Sequence, residues 1–205
     1  MEKDSREHIL EVSLSLFLQK GFKGVTMRDI VEKTGLSKGA FYHYFKSKEQ
    51  VFEEVANYFY KDIFIQHFEH FSHESLKAFC EDCLKDVDEK FLTVRKIGGN
   101  RTEEWNINHY FLIFDAVALL PSFKKLHTEH HALELKSWKK IIGIAKKSGE
   151  IKSALSNEQI AKMFLYMGDG FGMNVVFDGS AGKMEAHKKE IRQLWGNFYE
   201  MLKGQ

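Results

Sequence analysis

The segment spanning residues 26–48 constrains the fold of this chain more strongly than any other stretch of its sequence. Thr26 is followed three residues later by Asp29, and this capping-box pattern predicts a helix that begins at residue 27. Gly35 predicts the end of that helix, because glycine readily adopts the left-handed conformation found just past a helix C-terminus. The first part of the segment is therefore expected to be one short helix followed by a tight turn.

The second part of the segment predicts another short helix. Ser37 is a good N-cap for a helix from Lys38 to about Phe45, and Ser47 with Gln50 marks the start of a third helix. Two short helices joined by a tight turn that contains glycine form a helix-turn-helix pattern.

The second of these helices has two faces of different character. One face is aromatic and suits packing against neighbouring helices, whereas the other combines a cation, a glycine, a phenol and an imidazole. Such a polar face near a helix N-terminus suits a phosphate backbone and the groove edges of DNA. The alternative is an aromatic-rich helix whose polar face meets only solvent. The aromatic face holds Phe41, Tyr44 and Phe45, and the polar face holds Lys38, Gly39, Tyr42 and His43.

The charge of the chain is concentrated in the same region. The formal net charge of the whole chain is only +1, which by itself does not favour a nucleic-acid partner. Between residues 20 and 48, however, there are seven Lys or Arg residues and only two acidic residues. A basic patch on a chain that is otherwise nearly neutral is typical of a DNA-binding module.

The first fifty residues carry a series of motifs with specific order and spacing. These are Ile9, Leu16-Phe17, Gly21-Phe22, Val25-Thr26-Met27, Ile30-Val31, Thr34-Gly35-Leu36-Ser37, Gly39-Ala40-Phe41-Tyr42, Tyr44-Phe45 and Lys48-Glu49. With these motifs, about a quarter of the chain resembles the DNA-binding domain of TetR-family transcriptional regulators. The sequence departs from the family pattern at Ser13, where alanine is usual, and in the order His43-Tyr44-Phe45. The second departure leaves open whether His43 or Tyr44 faces DNA.

The resemblance implies a sequence-specific, homodimeric transcriptional regulator that binds a palindromic operator in double-stranded DNA. It implies a repressor that a small-molecule effector releases from the operator, although activators share this architecture. The helix starting at Lys38 is then expected to enter the major groove. The residues predicted to contact DNA are Thr26, Arg28, Ser37, Lys38, Gly39, Tyr42, His43, Tyr44 and Lys48.

The rest of the chain also has helical patterns, so the predicted fold is all-α with about nine helices. A single proline, Pro121, agrees with this class, because prolines usually punctuate loop-rich and β folds. We expect a three-helix DNA-binding domain at residues 1–47 and a helical domain for ligand binding and dimerisation at residues 48–205. The helices outside residues 26–48 are expected at about 4–20, from 48 to between 64 and 71, 74–96, 102–120, 122–148, 156–178 and 183–203.

The last two predicted helices suit a dimer interface. Glycines within an apolar helix cost stability but let another helix approach closely, and the final helix carries an apolar stripe at three-four spacing. The alternative is a pair of ordinary core helices with a flexible kink. The residues assigned to the interface, in line with the family resemblance, are Gly168, Gly170, Phe171, Leu194, Trp195 and Phe198.

A small-molecule pocket is predicted among the middle helices, chiefly on the family resemblance. Aromatic residues interspersed with methionine and a few polar groups are compatible with a mostly apolar cavity, and simple core packing is the competing explanation. The predicted lining residues are Trp105, His109, Tyr110, Phe114, Trp138, Met163, Tyr166 and Met167.

No motif of an enzyme is present, so no catalytic residue, metal or cofactor is predicted. Two histidine groups, at residues 67–73 and 127–131, have spacings that could supply metal ligands, but their polar surroundings favour solvated side chains. Cys80 and Cys83 are the only cysteines and form an isolated C-x-x-C pair. The polar N-terminus and the absence of long apolar runs predict a cytoplasmic protein without a membrane partner. The alternative function is a helical small-molecule or metal-binding protein of the same fold without DNA-regulatory activity.

Overall fold

A computed structural model describes residues 5–63, 65, 67–97, 107–177 and 184–204. Within these ranges all regular structure is helical and no strand occurs, which confirms the predicted all-α class with about nine helices. The helices are α1 (Ser5–Gly24), α2 (Met27–Thr34), α3 (Lys38–Tyr44), α4 (Lys48–Ile63), α5 (Leu76–Ile97), α6 (Ile107–Leu119), α7 (Pro121–Ser148), α8 (Asn157–Phe177) and α9 (Met184–Lys203), with a short 3₁₀ helix at Phe68–His70.

Helix α2 is bounded by the residues that the sequence predicts. The Asp29 backbone N–H donates to Thr26 Oγ1 at 3.1 Å, and the Thr26 N–H donates to Asp29 Oδ2 at 2.8 Å, which completes the capping box. Gly35 ends the helix in the left-handed conformation, with φ of 69°. A second reciprocal cap joins Ser156 and Gln159 at the start of α8.

Three helix boundaries differ from the expectation. Helix α4 ends at Ile63, and a 3₁₀ turn at Phe68–His70 lies where the helix was expected to continue toward residue 71. Pro121 stops α6 as predicted but is also the first residue of α7, where its missing N–H costs nothing. Gly21 kinks α1 with φ of 68°, and one further turn follows before residue 25.

The chain divides into two compact units, of which the first contains residues 1–65 and 91–127. Among the described residues of this unit, α1 packs against α2, α4 and α6. Its core is rich in aromatic rings: Phe17, Phe41, Phe45, Phe52 and Phe59 are all fully buried. The three N-terminal helices therefore share a core with α4 and α6.

The second unit contains residues 66–90 and 128–205. Trp138 lies at the centre of its core and is stacked on Phe164, with 4.9 Å between ring centroids. Trp195 from α9 meets the Trp138 ring edge-on at 5.4 Å. The predicted division between residues 47 and 48 concerns function and stays a prediction. By their packing, α4 and α6 belong to the same unit as the N-terminal helices.

Candidate nucleic-acid interface

Helix α3 is anchored by one aromatic face, so its other face points outward. Ser37 caps the helix by accepting a hydrogen bond from the Ala40 N–H at 3.2 Å. Phe41 and Phe45 are fully buried in the first unit. The opposite face is exposed and holds Lys38, Gly39, Ala40, Tyr42 and His43.

Gly39 is free of internal packing constraints. A Cβ atom at this position would meet no atom within 4 Å beyond the neighbouring backbone of α3, and the backbone there is ordinary helix. The fold therefore does not require glycine at residue 39, although glycine lowers helix stability. Because no side chain projects from the outward face at this position, another molecule can approach the backbone of α3 closely.

The order of His43 and Tyr44 has a structural answer within the protomer. His43 is exposed, whereas Tyr44 is half-buried on the aromatic side. The two rings lie 5.3 Å apart in an edge-on arrangement. His43 is thus the more available of the two for an outside contact, and the contact of either residue with DNA stays a prediction.

The N-terminal end of α2 contributes Thr26 and Arg28. The Thr26 hydroxyl is occupied by Asp29, to which it donates at 2.6 Å, and hydrogen bonds from Thr26 are the main cause that lowers the pKa of Asp29. Arg28 is exposed and pairs with Glu32 at 2.7 Å, and this hydrogen bond raises the pKa of the guanidinium. An exposed pair of this kind is weak, so Arg28 can exchange Glu32 for a phosphate at little cost.

Lys48 differs from the simple phosphate anchor that the sequence suggests. Its ammonium donates to the backbone carbonyl oxygens of Phe22 and Val25, both at 2.8 Å, and lies 4.2 Å from the centre of the Phe22 ring. Two of its three N–H groups are therefore used inside the protein, and one remains for an external acceptor. The structural role of Lys48 could not be read from the sequence.

Further exposed cations lie in the same region but were not among the predicted contact residues. Lys23 and Lys33 are both exposed, near the end of α1 and in the last turn of α2. Lys46 follows α3 and donates to the backbone carbonyl of Tyr42. The excess of basic residues between 20 and 48 was the only sequence signal for them.

The predicted ligand-binding residues fall in different places. Trp105 lies outside the described residues. In the first unit, His109 is buried beside the ring of Phe59, Tyr110 is half-buried and Phe114 is exposed. In the second unit, Trp138 belongs to the core, while Met163, Tyr166 and Met167 lie on an exposed or half-buried face of α8. Their role in ligand binding stays a prediction.

A groove of about 500 Å³ runs between α8 and α9 in the second unit. It brings together two of the predicted ligand residues and three of the predicted dimer residues. Its walls combine apolar side chains with an amide, an imidazole and a carboxylate. The lining residues are Tyr166, Met167, Gly170, Phe171, Asn174, Val175, His187, Glu190 and Leu194.

The predicted dimer residues divide between core and surface. Trp195 is buried against Trp138 and Phe164, and Phe198 packs on Phe164 with 4.8 Å between ring centroids. A Cβ atom on Gly168 would contact the Trp195 ring at 3.5 Å, so this glycine faces α9 of its own chain. Only the groove residues Gly170, Phe171 and Leu194 of this set line an open surface.

The histidine and cysteine groups do not form a metal site in the part of the chain that the structure describes. No group of three His, Cys, Asp or Glu side chains there is placed to hold a metal ion. Cys80 and Cys83 are buried, and burial raises the pKa of both thiols, so neither is a reactive thiolate at neutral pH.

The geometry at the N-terminus defines a helix-turn-helix domain of the DNA-binding class. Comparisons with known proteins agree. A family model described as bacterial regulatory proteins, tetR family, matches residues 9–55. The transcriptional repressor KstR2 of Mycolicibacterium smegmatis is 43% identical over 54 residues, which make up 26% of this chain and 26% of that protein. The first curated relatives match this chain over only about a fifth to a quarter of their own length.

Other comparisons extend over nearly the whole chain. The biofilm operon negative transcriptional regulator IcaR of Staphylococcus aureus strain Newman is 23% identical over 192 residues, covering 91% of this chain and 92% of IcaR. The crystal structure of a putative TetR-family transcriptional regulator from Rhodococcus sp. matches with a TM-score of 0.64 at 16% identity, covering 98% of this chain and all of that one. Residues 9–55 of this chain therefore match the TetR family of bacterial regulatory proteins, and the fold of the whole chain is similar to that of TetR/AcrR-family structures.

No helix among the described residues is both long enough and apolar enough to cross a membrane.

Proposed function

We propose that this protein is a cytoplasmic, dimeric transcriptional repressor that binds a palindromic operator through α3 and leaves it when a small molecule binds. The observation that carries the proposal is the exposed polar face of α3. This face stands on the fully buried Phe41 and Phe45, so its backbone position is fixed while its outer side chains are free to contact DNA. The names of KstR2 as a repressor and IcaR as a negative regulator support the sign of regulation.

In the proposed complex, α3 of each subunit lies in the major groove with its N-terminal residues nearest the base edges. Tyr42 and His43 read the bases, and Gly39 permits the close approach. Lys38 and Arg28 contact phosphates, as does the remaining N–H of Lys48. Two-fold symmetry then requires two half-sites of opposite orientation, roughly 34 Å apart or somewhat more.

Dimerisation is proposed to use the outer face of α8 and α9. Large apolar side chains are exposed there, among them Met163, Tyr166, Leu194 and Met201. Gly170 lies in the groove between the two helices, and a Cβ atom at this position would meet nothing within 4 Å inside the protomer. A symmetric pairing of this face would cover the apolar side chains and fit a partner side chain into the groove.

Ligand release follows from a difference in affinity between two states of the dimer. A small molecule that binds more tightly to the state with wider separation of the two α3 helices lowers operator affinity. The decrease cannot exceed the difference in its binding free energy between the two states. The helices that transmit the change are α4, which follows α3 directly, and α6, which packs on α1. A screen for small molecules that release the protein from its operator would identify the ligand.

Selection of bound duplexes from a random pool, followed by a binding titration, tests the proposal. We expect an inverted repeat with submicromolar affinity that persists with competitor DNA, and a steep loss of affinity with salt. Lys38→Ala should weaken binding, whereas Lys77→Ala, which removes an equally exposed cation from α5, should not. Recovery of no common sequence, with weak binding to every duplex, would refute the proposal.

A further inference from the structure

The segment at residues 21–25, here called the joint, connects the regular part of α1 to α2. Gly21 breaks the helical course of α1 with φ of 68°, and Val25 is fully buried just before the α2 cap. The Phe22 ring packs on Phe52 with 4.6 Å between ring centroids. Because α2 begins directly after it, the conformation of the joint sets where α2 and then α3 start.

Two other helices hold the joint through the backbone of one residue. Lys48 of α4 donates to the Phe22 carbonyl oxygen at 2.8 Å. Asp115 of α6 accepts a hydrogen bond from the Phe22 N–H, with 3.4 Å between N and Oδ2. Both backbone polar groups of Phe22 are thus bound by side chains from different helices. A backbone N–H in this partly buried position needs such a partner.

Helix α6 is well placed to act on the joint. Within the described residues, the α1–α6 and α1–α4 pairs are the most extensively packed pairs of helices. Near the other end of α6, His109 is buried with its ring 6.0 Å from that of Phe59 on α4. The α6 carboxylate lies at the long end of hydrogen-bonding distance from Phe22, so a small shift of α6 is enough to break the contact.

We propose that Asp115 is a positioning residue through which α6 fixes α2 and α3 by way of the Phe22 amide. Lys48 keeps the joint attached to α4. Through the Asp115 contact, the position of the joint also depends on the position of α6. When α6 shifts, the Phe22 N–H loses its acceptor and the joint loosens, so α3 no longer has one fixed position for DNA. The importance of this control for regulation rests on the proposed function.

Amide hydrogen exchange on the full-length protein tests the contact directly. Asp115→Ala should raise the exchange rate at Phe22 by about tenfold, since it leaves a partly buried N–H without its acceptor. Exchange in α2 and α3 should also rise, whereas exchange in α8 should not. Asp115→Asn keeps a carbonyl oxygen as acceptor and should restore rates close to those of the wild type.

A matched control separates positioning from general loss of stability. Glu53 of α4 accepts a hydrogen bond from the Ser122 hydroxyl at 2.6 Å in the same unit, and this bond does not involve the backbone of the joint. Glu53→Ala therefore removes a comparable contact between helices and should leave exchange at Phe22 unchanged. An equal rise at Phe22 in both variants would overturn the proposal, because it would indicate general destabilisation.

Binding to the operator recovered from the random pool supplies the second measurement. Asp115→Ala should weaken operator binding by about tenfold, with Asp115→Asn and Glu53→Ala close to the wild type. Unchanged exchange in α2 and α3, or unchanged operator affinity in Asp115→Ala, would overturn the proposal. If the wild-type protein recovers no operator, the proposed function fails, and the exchange rates in α2 and α3 still decide whether Asp115 positions these helices.

Discussion

The ammonium of Lys48 binds the backbone of Phe22 and lies over its ring, with 2.8 Å to the carbonyl oxygen and 4.2 Å to the ring centre. These contacts link the first residue of α4 to the kinked end of α1. A cation that looks like a phosphate anchor in the sequence is therefore also a structural tie within the first unit. A substitution at this position is therefore expected to change stability as well as the proposed contact with DNA.

Lys48→Met should destabilise the protein by about 1–3 kcal/mol, because the carbonyl oxygens of Phe22 and Val25 lose their donor while the aliphatic stem is kept. Urea unfolding at neutral pH measures the change. Lys33→Met, which removes an exposed cation from α2, is the control and should alter stability by less than about 0.5 kcal/mol. Equal stability of the two variants would contradict the structural role of Lys48.

Gly39→Ala should separate folding from DNA binding. Beyond the neighbouring backbone of α3, the added methyl group meets no atom of the protein within 4 Å, and alanine favours the helix by up to about 1 kcal/mol. We therefore expect a higher melting temperature and weaker operator binding, because the methyl group lies on the face that is proposed to approach DNA. A variant that is more stable and binds the operator as tightly as the wild type would remove Gly39 from the interface.

Glu134 should make the second unit less stable as the pH rises. Burial and the nearby Asp169 raise the pKa of this carboxyl to about 7, an effect that Lys90 partly offsets, and His131 lies 3.7 Å away. The folded state holds the Glu134 proton more tightly than the unfolded state does. The stability that this proton contributes is fully present below the unfolded pKa of about 4.5 and is lost as the pH rises to about 7.

The change in unfolding free energy between pH 4.5 and pH 8 is expected to be on the order of 3 kcal/mol for this group. Urea unfolding of the wild type and of Glu134→Gln across that range isolates it, since the amide cannot titrate. The difference in stability between the two proteins should move in favour of the variant as the pH rises. A difference that is constant with pH would contradict the assignment.

Gly170→Leu should disrupt the dimer without unfolding the protomer. A Cβ atom at Gly170 meets nothing within 4 Å beyond the neighbouring backbone of α8, and a leucine there would project into the groove that the partner is proposed to enter. Gly196→Leu is the matched control, because that glycine is exposed on α9 and lies outside the groove lining. Sedimentation should give monomers for the first variant and dimers for the second, and dimers for both would move the interface elsewhere.

The sequence predicted most accurately where local chemistry decides the structure. Thr26 and Asp29 fix the start of α2 and Gly35 fixes its end through hydrogen bonds and a backbone conformation confined to a few residues. The predicted end of α4 was wrong, because the mixed apolar and polar residues after Ile63 suit several conformations and tertiary packing selects among them. Local patterns therefore predicted the helix-turn-helix better than the helix that follows it.

The site was only partly predictable for the same reason. The outward face of α3 follows from helical periodicity, since the positions of Phe41 and Phe45 determine which residues point away. The Asp115 contact with Phe22 joins residues far apart in the chain and has no local signal. Aromatic spacing alone also could not distinguish a core residue such as Trp138 from a surface residue such as Phe114.

The proposed function requires the exposed face of α3 to recognise a specific operator. The most direct test compares wild type and Tyr42→Ala on the selected operator and on a scrambled duplex of equal length and composition, across a salt titration. Tyr42 is partly exposed, so the fold should survive, which circular dichroism can check. We predict that the variant loses at least tenfold in preference for the operator while its binding to the scrambled duplex changes little. An unchanged preference would contradict the claim.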